Sequence, residues 1–207
     1  MAKINKNTII RQIKARVDGL SDSASISPAM FEKMTADGAL DHALHVGMRN
    51  FALMVQPGQI PYLITTADGV KDSSYHHGID VYKLPDDRLS DREDGGIVKI
   101  ILDGIERSPE LGQSIESLSA LAKNTYISSM GHHSVDILEG VAFVLCKGDE
   151  VKFKYVKEPT DPAEVTEIDF DFRYMERIVD MAVMSMLNQF SVPGLPATDN
   201  EQTEARS

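Results

Sequence analysis

Residues 80–96 read "DVYKLPDDRLSDREDGG", and six of the seventeen are acids: Asp80, Asp86, Asp87, Asp91, Glu93 and Asp94. Two readings compete. The carboxylates could hold a pair of metal ions, which requires ligands fixed on rigid elements with the metals about 4 Å apart. Alternatively, the stretch is a turn that leaves one strand and enters the next. The flanks favour the turn. Leu84-Pro85 closes one apolar run and Gly95-Gly96 precedes another, and both pairs are turn-forming. Asp86 and Asp87 directly after a proline suit a turn or a short helical start. Arg88 and Arg92 are interleaved with the acids and offset part of their charge. The segment then joins a strand ending at Leu84 to "GIVKIILDG" (96–104), and these two strands are expected to pair.

More strands lie on both sides. "IPYLITTADG" (60–69) reads as a short strand and a turn, and "SYHHGIDVYKLP" (74–85) contains a strand ended by Pro85. "GIVKIILDGIE" (96–106) places Val98, Ile100 and Leu102 on one face and ends at Asp103-Gly104. "SPELGQSIESLSALAKNTY" (108–126) could hold a helix from Pro109 to about Ala122. "ISSMGHHSVDIL" (127–138) reads as a loop and a strand start. "VAFVLC" (141–146) and "VKFKYVK" (151–157), separated by "KGDE", are expected to form a hairpin. In the second, Val151, Phe153 and Tyr155 alternate with Lys152, Lys154 and Lys157, giving one buried and one wet face. Cys146 reads as a buried strand residue.

Helical spacing brackets this β region. Ile9, Ile10, Ile13, Val17 and Leu20 predict a helix from Thr8 to Leu20, capped by Asn7 or Thr8 and stopped at Gly19. Ser27-Pro28 opens a second helix, with Met30, Phe31 and Met34 inward. Leu40, Ala43, Leu44, Gly47, Met48 and Phe51 form the stripe of a third, over 39–55. The last helix, 172–190, carries Met175, Ile178, Val179, Ala182, Val183, Met186 and Phe190 on one stripe, capped by Asp169 or Asp171. Met181, Met184 and Leu187 widen that stripe. The extra apolar surface implies burial on two sides, against another helix of the same chain or a neighbouring subunit. Residues 191–207 have no periodicity and read as a flexible tail. The expected class is α+β: one domain over 1–190, with N- and C-terminal helices (8–55 and 172–190) packed as a bundle and a mostly antiparallel β region (58–157) inserted between them.

Composition narrows the function. The single cysteine excludes an intramolecular disulfide and cysteine-based zinc sites. No apolar run reaches the roughly 20 residues of a membrane span, and the N-terminus lacks a signal-peptide core. The net charge is −11; residues 1–17 hold five basic groups and no acid, so the remaining residues sum to −16. Such a body repels a phosphate backbone. No phosphate loop, dinucleotide fingerprint, nucleophile elbow or zinc-protease motif occurs. His42 and His45 lie three apart on a helix beside Asp41, without a completing ligand. The pairs His76-His77 and His132-His133 sit in loops, and nothing in the sequence brings them together. No catalytic, cofactor or metal residue is expected, and the protein reads as a non-enzyme.

The layout resembles the head-to-tail adaptor, or connector ring, proteins of tailed bacteriophages, over most of residues 5–190. The similar parts are the helical pair "NTIIRQIKARV" and "FEKMTADGALDHALHVGMRNF", the strand and turn "VYKLPDD", the strand "GIVKIILDG", the exit "VKFKYVKEP" and the closing helix "IDFDFRYMERIVDMAVMSML". The segment 106–136 is longer than a minimal member needs. The resemblance implies a structural virion protein in the neck, synthesised in the host cytoplasm. It implies a homo-oligomeric ring, usually of twelve copies, beneath the portal, extending the DNA channel and docking tail components. It implies no cofactor and no membrane, and makes residues 192–207 a candidate arm toward the portal. Double-stranded DNA would pass without specific binding, so the acids of 80–94 or of 158–171 are expected to face the lumen. The alternatives are another neck or tail protein, such as a stopper or tail-tube component, and a metal-dependent phosphoesterase using the acidic stretch.

Overall fold

The computed structural model describes residues 2–22, 26–75, 79–108, 134–138, 141–145 and 150–189. The fold is α+β. Two compact units make it up, one of residues 1–51 with 160–207 and one of residues 52–159. The expected helix at 109–122, the loop at 127–133, Cys146 and the tail 191–207 lie outside the described residues.

The first unit holds strand β1 (Ala2–Asn5), helices α1 (Lys6–Asp22) and α2 (Pro28–Met34), most of α3 (Asp37–Met54), strand β10 (Glu167–Phe170) and helix α4 (Met175–Gln189). β1 and β10 form a two-stranded antiparallel ladder with Ile4 opposite Ile168, both buried. Asn5 caps α1 by accepting the Asn7 amide at 3.0 Å. Ser27 caps α2 as its Ser-Pro start predicts, with Oγ accepting the Met30 amide at 3.3 Å. Only Met34 of that helix is fully buried; Met30 and Phe31 are half-buried. Gly19 does not stop α1, which runs on to Asp22. A helical glycine costs only about 1 kcal/mol, and the helix is held by Ile9, Ile13 and Val17, all fully buried. Each such side chain is worth about 1.5–3 kcal/mol, so packing outweighs the local preference.

The stripe expected for α3 is buried at every position from Leu40 to Phe51. Gly47 belongs to it for a specific reason. A Cβ there would lie 2.7 Å from the Ile178 carbonyl oxygen and 3.0 Å from the Ala182 Cβ. The lack of a side chain lets α3 and α4 approach closely. Beside this contact the Phe51 and Tyr174 rings pack with centroids 5.0 Å apart, and the Arg177 guanidinium lies over Phe51. α4 begins three residues later than expected, after a 3-10 turn at Phe172–Tyr174 whose Asp171 cap accepts the Arg173 amide at 3.0 Å. Hydrogen bonds from Arg173 hold the Asp171 carboxyl below its usual pKa. Ile178, Val179, Ala182, Val183, Met186 and Leu187 are buried, while Met184 is 38% exposed. α4 also packs on α1, where Arg16 pairs with Asp180 at 2.7 Å.

The second unit holds β2 (Ile64–Asp68), β3 (Val70–Tyr75), β4 (Ile79–Lys83), β5 (Ile97–Leu102), β6 (Ile105–Arg107), β7 (Ser134–Leu138), β8 (Val141–Leu145) and β9 (Val151–Val156). They form two antiparallel sheets, ordered β2-β9-β5-β6 and β3-β4-β8-β7. The expected hairpin of "VAFVLC" and "VKFKYVK" does not form. β8 pairs with β4 and β7, and β9 with β2 and β5. Both edges of each strand are thus taken by other partners. β4 and β5 are likewise not paired, because residues 84–96 lead from one sheet into the other. In β5 the buried residues are Ile97, Ile100 and Leu102. Val98 leaves the expected face because a register shift between Ile97 and Lys99 changes the alternation. The alternation in β9 holds, with Val151, Phe153 and Tyr155 buried. They cluster with Ile97, Ile100 and Leu102 and with Tyr82 and Leu84 from the β4 side. Asp103-Gly104 joins β5 to β6 with φ of 48° and 82°, the left-handed pair that suits a two-residue hairpin turn.

Two glycine substitutions test this packing. Gly19 is exposed, and a Cβ added there would meet nothing within 4 Å, so Gly19→Ala should stabilise by about 0.5–1 kcal/mol. Gly47→Ala should destabilise by about 1–3 kcal/mol, the cost of overpacking. Urea midpoints of the two variants should move in opposite directions from wild type.

Candidate functional site

The acidic stretch is one of the places where composition raises the possibility of chemistry, and its geometry bears on the two readings. Leu84 and Leu89 are 3% and 0% exposed. They pin the segment to the core at two points, with Asp86 and Asp87 between them. The Leu89 amide donates to the Val156 carbonyl at 2.8 Å, and the Val156 amide donates to the Gly96 carbonyl at 2.8 Å. Arg88 and Lys157 form a β-bridge. Gly95 and Gly96 adopt φ of 61° and 79°, which only glycine does without strain. At Gly96 a Cβ would also lie 2.8 Å from the Leu89 carbonyl oxygen. The turn is therefore built onto the C-terminal end of β9 rather than looped out from the sheet.

Asp80, Asp87 and Asp94 make protein contacts that the sequence does not reveal, and Asp91 accepts the Ser90 hydroxyl at 3.4 Å. Asp94 receives Arg92 Nε at 3.1 Å and the Gly96 amide at 2.9 Å. The Arg92 side chain is only 8% exposed. Its Nη1 donates to the Val55 carbonyl at 3.0 Å and to the Ala52 carbonyl. Those are carbonyls at the C-terminal end of α3, which have no partner within the helix and carry its negative dipole end. By donating to both, the guanidinium caps the end of the helix. Asp87 accepts the Tyr155 hydroxyl at 2.7 Å and lies 3.7 Å from Lys157 Nζ, while its backbone carbonyl accepts the Glu158 amide at 2.7 Å. Burial first, and then the hydrogen bond to Asp87 and its charge, push the Tyr155 phenol up to about 12. Asp80 lies within β4 and pairs with Lys71 at 2.8 Å. Asp86, Asp91 and Glu93 are exposed.

An open cleft of about 390 Å³ adjoins the turn, bordered by Leu53, Met54, Pro57, Arg92 and Glu93. Arg92 is not available to a ligand there, since its guanidinium is committed to two carbonyls and Asp94. Among the described residues the histidine candidates do not build a site either. His42 is exposed and His45 half-buried. Asp41 beside them is engaged by Lys6, whose Nζ lies 3.1 Å from its Oδ1 and also donates to the Pro162 carbonyl at 2.6 Å. His76, His77, His132 and His133 lie outside the described residues. Among the described residues, no three His, Cys, Asp or Glu side chains gather in a metal-binding arrangement, and no helix is long and apolar enough to cross a membrane.

No family model and no curated protein matches this sequence.

The residues that sequence reasoning missed are Tyr155, Lys157 and the carbonyls of Ala52 and Val55. A signal existed for one. Tyr155 falls on the buried face of β9, and a buried tyrosine hydroxyl needs a partner.

The contacts around the turn make two outcomes measurable. Arg92→Ala removes the cation beside Asp94 and the donor to two helix-end carbonyls. It should cost about 2–4 kcal/mol in urea unfolding, and Arg92→Lys should recover only part of that because one ammonium cannot reproduce the fork. The second concerns pH. The Tyr155 phenol titrates higher in the folded protein, at about 12, than the ordinary tyrosine value of about 10. Its contribution is fully present below pH of about 10 and lost as pH rises toward about 12. Wild type should therefore lose stability across that window more steeply than Tyr155→Phe.

Proposed function

We propose that the protein is a structural, non-enzymatic subunit of a homo-oligomeric ring in the neck of a tailed bacteriophage, between portal and tail. One observation carries the reading: the grouping of the elements. Helices from both ends of the sequence share one compact unit with α3, while β2 to β9 form a second unit of two sheets. This is the arrangement of terminal helices and inserted strand region that the resemblance implies. The acidic stretch supports the non-enzymatic side of the reading. Asp80, Asp87 and Asp94 serve the fold, which leaves a phosphoesterase reading without the converging carboxylates that two-metal catalysis needs.

Each unit also presents apolar side chains to solvent. Phe172 is 56% exposed and Met184 38% in one, and Met54 67%, Val70 64% and Ile105 51% in the other. Isolated exposed apolar residues are ordinary. In a ring they are the positions that neighbouring copies, portal or tail proteins would cover. A channel subunit should not hold its cargo, and acids on the channel wall repel phosphate. One of the acidic segments, 80–94 or 158–171, takes that role in this reading. Twelve copies, the virion neck and passage of double-stranded DNA without specific binding complete the proposal.

The test is electron microscopy of the full-length protein mixed with the portal protein encoded in the same genome. The expected result is ring particles capping the portal. A protein that stays monomeric and ignores the portal would overturn the proposal.

A further inference from the structure

The two sheets of the second unit differ at their edges. In the sheet β3-β4-β8-β7, the β3 edge carries a register shift between Lys71 and Ser73, and such an irregularity disfavours a further strand. The β2 edge of the sheet β2-β9-β5-β6 has no such break. All five residues of β2 pair in step with β9, and the strand holds neither a proline nor a basic residue. The Gly69 amide donates to the Val151 carbonyl and the Lys157 amide to the Leu63 carbonyl. By alternation Thr65 and Ala67 also bond to β9, so the backbone groups of Thr66 and Asp68 point away from the sheet. Among the described residues nothing pairs with those groups, and both residues are exposed.

The opposite edge is β6. Leu102 and Ile105 close the hairpin across Asp103-Gly104, so Glu106 is the residue of β6 whose N–H and C=O face outward. Lys99 Nζ donates to Ser108 Oγ at 2.7 Å and carries the β5–β6 contact one residue further. Ile105 shares a face of the sheet with the core residue Leu102, yet it is 51% exposed. At the β2 edge, Ala67 packs on the same core cluster and is only partly buried.

Every pairing in this sheet is antiparallel, so β2 and β6 run in opposite directions. A second copy placed edge to edge therefore continues the antiparallel order without a break. We infer that β6 of one copy adds to β2 of the next, with Glu106 opposite Thr66. In that register Ile105 lies beside Ala67, and Arg107 beside Thr65. A slide of two residues one way sets Glu106 against Asp68, a like-charge pair. The opposite slide leaves Arg107 beyond the end of β2. Strand addition draws its affinity from main-chain hydrogen bonds. The contact is heterologous: each copy gives β6 to one neighbour and β2 to the other, which closes into a ring when the rotation permits. This inference rests on the ring reading above and names the surfaces that join its subunits.

The test uses the full-length protein mixed with portal. Thr66→Pro removes an outward N–H, a change that an edge strand tolerates, and circular dichroism verifies that the variant folds. Wild type should give rings and Thr66→Pro none. Separately, Thr65→Cys with Arg107→Cys, in a Cys146→Ser background, should give a ladder of disulfide-linked multimers on oxidation, and either cysteine alone should not. Within one copy β2 and β6 lie three strand spacings apart, about 14 Å, which is too far for a disulfide, so the links join copies. Rings from folded Thr66→Pro at wild-type yield would overturn the inference and leave the ring reading standing. If Thr66→Pro does not fold, the cysteine pair decides, and rings without a ladder overturn the inference. Disulfide dimers from Thr65→Cys alone, as pairing of two β2 edges would give, overturn it as well. A ladder without closed particles would keep the contact and overturn the ring. Wild type that stays monomeric with portal, together with a cysteine pair that gives no ladder, overturns both.

Discussion

The second unit depends on where Arg92 puts its charge. The guanidinium is almost wholly buried, and it donates to the Ala52 and Val55 carbonyls at the end of α3 and to Asp94 in the turn. A buried cation is tolerated only when paired and fully hydrogen-bonded. Arg92 therefore specifies both the place where α3 ends and the path of residues 92–96. Leu89 anchors the first half of the same segment through a fully buried side chain and a bond to Val156. These two residues anchor the route of the backbone from β4 to β5. That route crosses between sheets, so β4 and β5 are not neighbours.

This accounts for the acids. Six carboxylates in seventeen residues look like a site when they are counted and like a turn when their partners are named. Asp94 orients Arg92, Asp87 satisfies a buried tyrosine hydroxyl, and Asp80 pairs along the β3–β4 ladder. Asp86, Asp91 and Glu93 remain at the surface.

The sequence displayed burial faces well and strand neighbours poorly. The stripe from Leu40 to Phe51 and the alternation from Val151 to Tyr155 are both observed, because periods of about 3.6 and about 2 report directly which side of an element is covered. Neither period says which strand lies alongside. "VAFVLC" and "VKFKYVK" are adjacent in sequence and have compatible patterns, yet each has both edges filled by strands from elsewhere. Gly19 misled for a related reason: a local preference of about 1 kcal/mol is small beside three buried aliphatic side chains. At the candidate site, the turn residues Leu84, Pro85, Gly95 and Gly96 were legible. The partners of Arg92 were not, since Ala52 and Val55 lie 40 and 37 positions away. No pattern in 80–96 points to a helix end.

The central claim is that residues 84–96 are a folded part of the β unit rather than an acidic loop waiting for a ligand. Native-state amide hydrogen exchange reads this residue by residue. The amides of Leu89, Val156 and Glu158 are all engaged in the contacts of this segment, and the account predicts that they exchange slowly, with opening free energies close to those of the β9 core. Exchange at Leu89 and Glu158 as fast as in an unstructured peptide would contradict it.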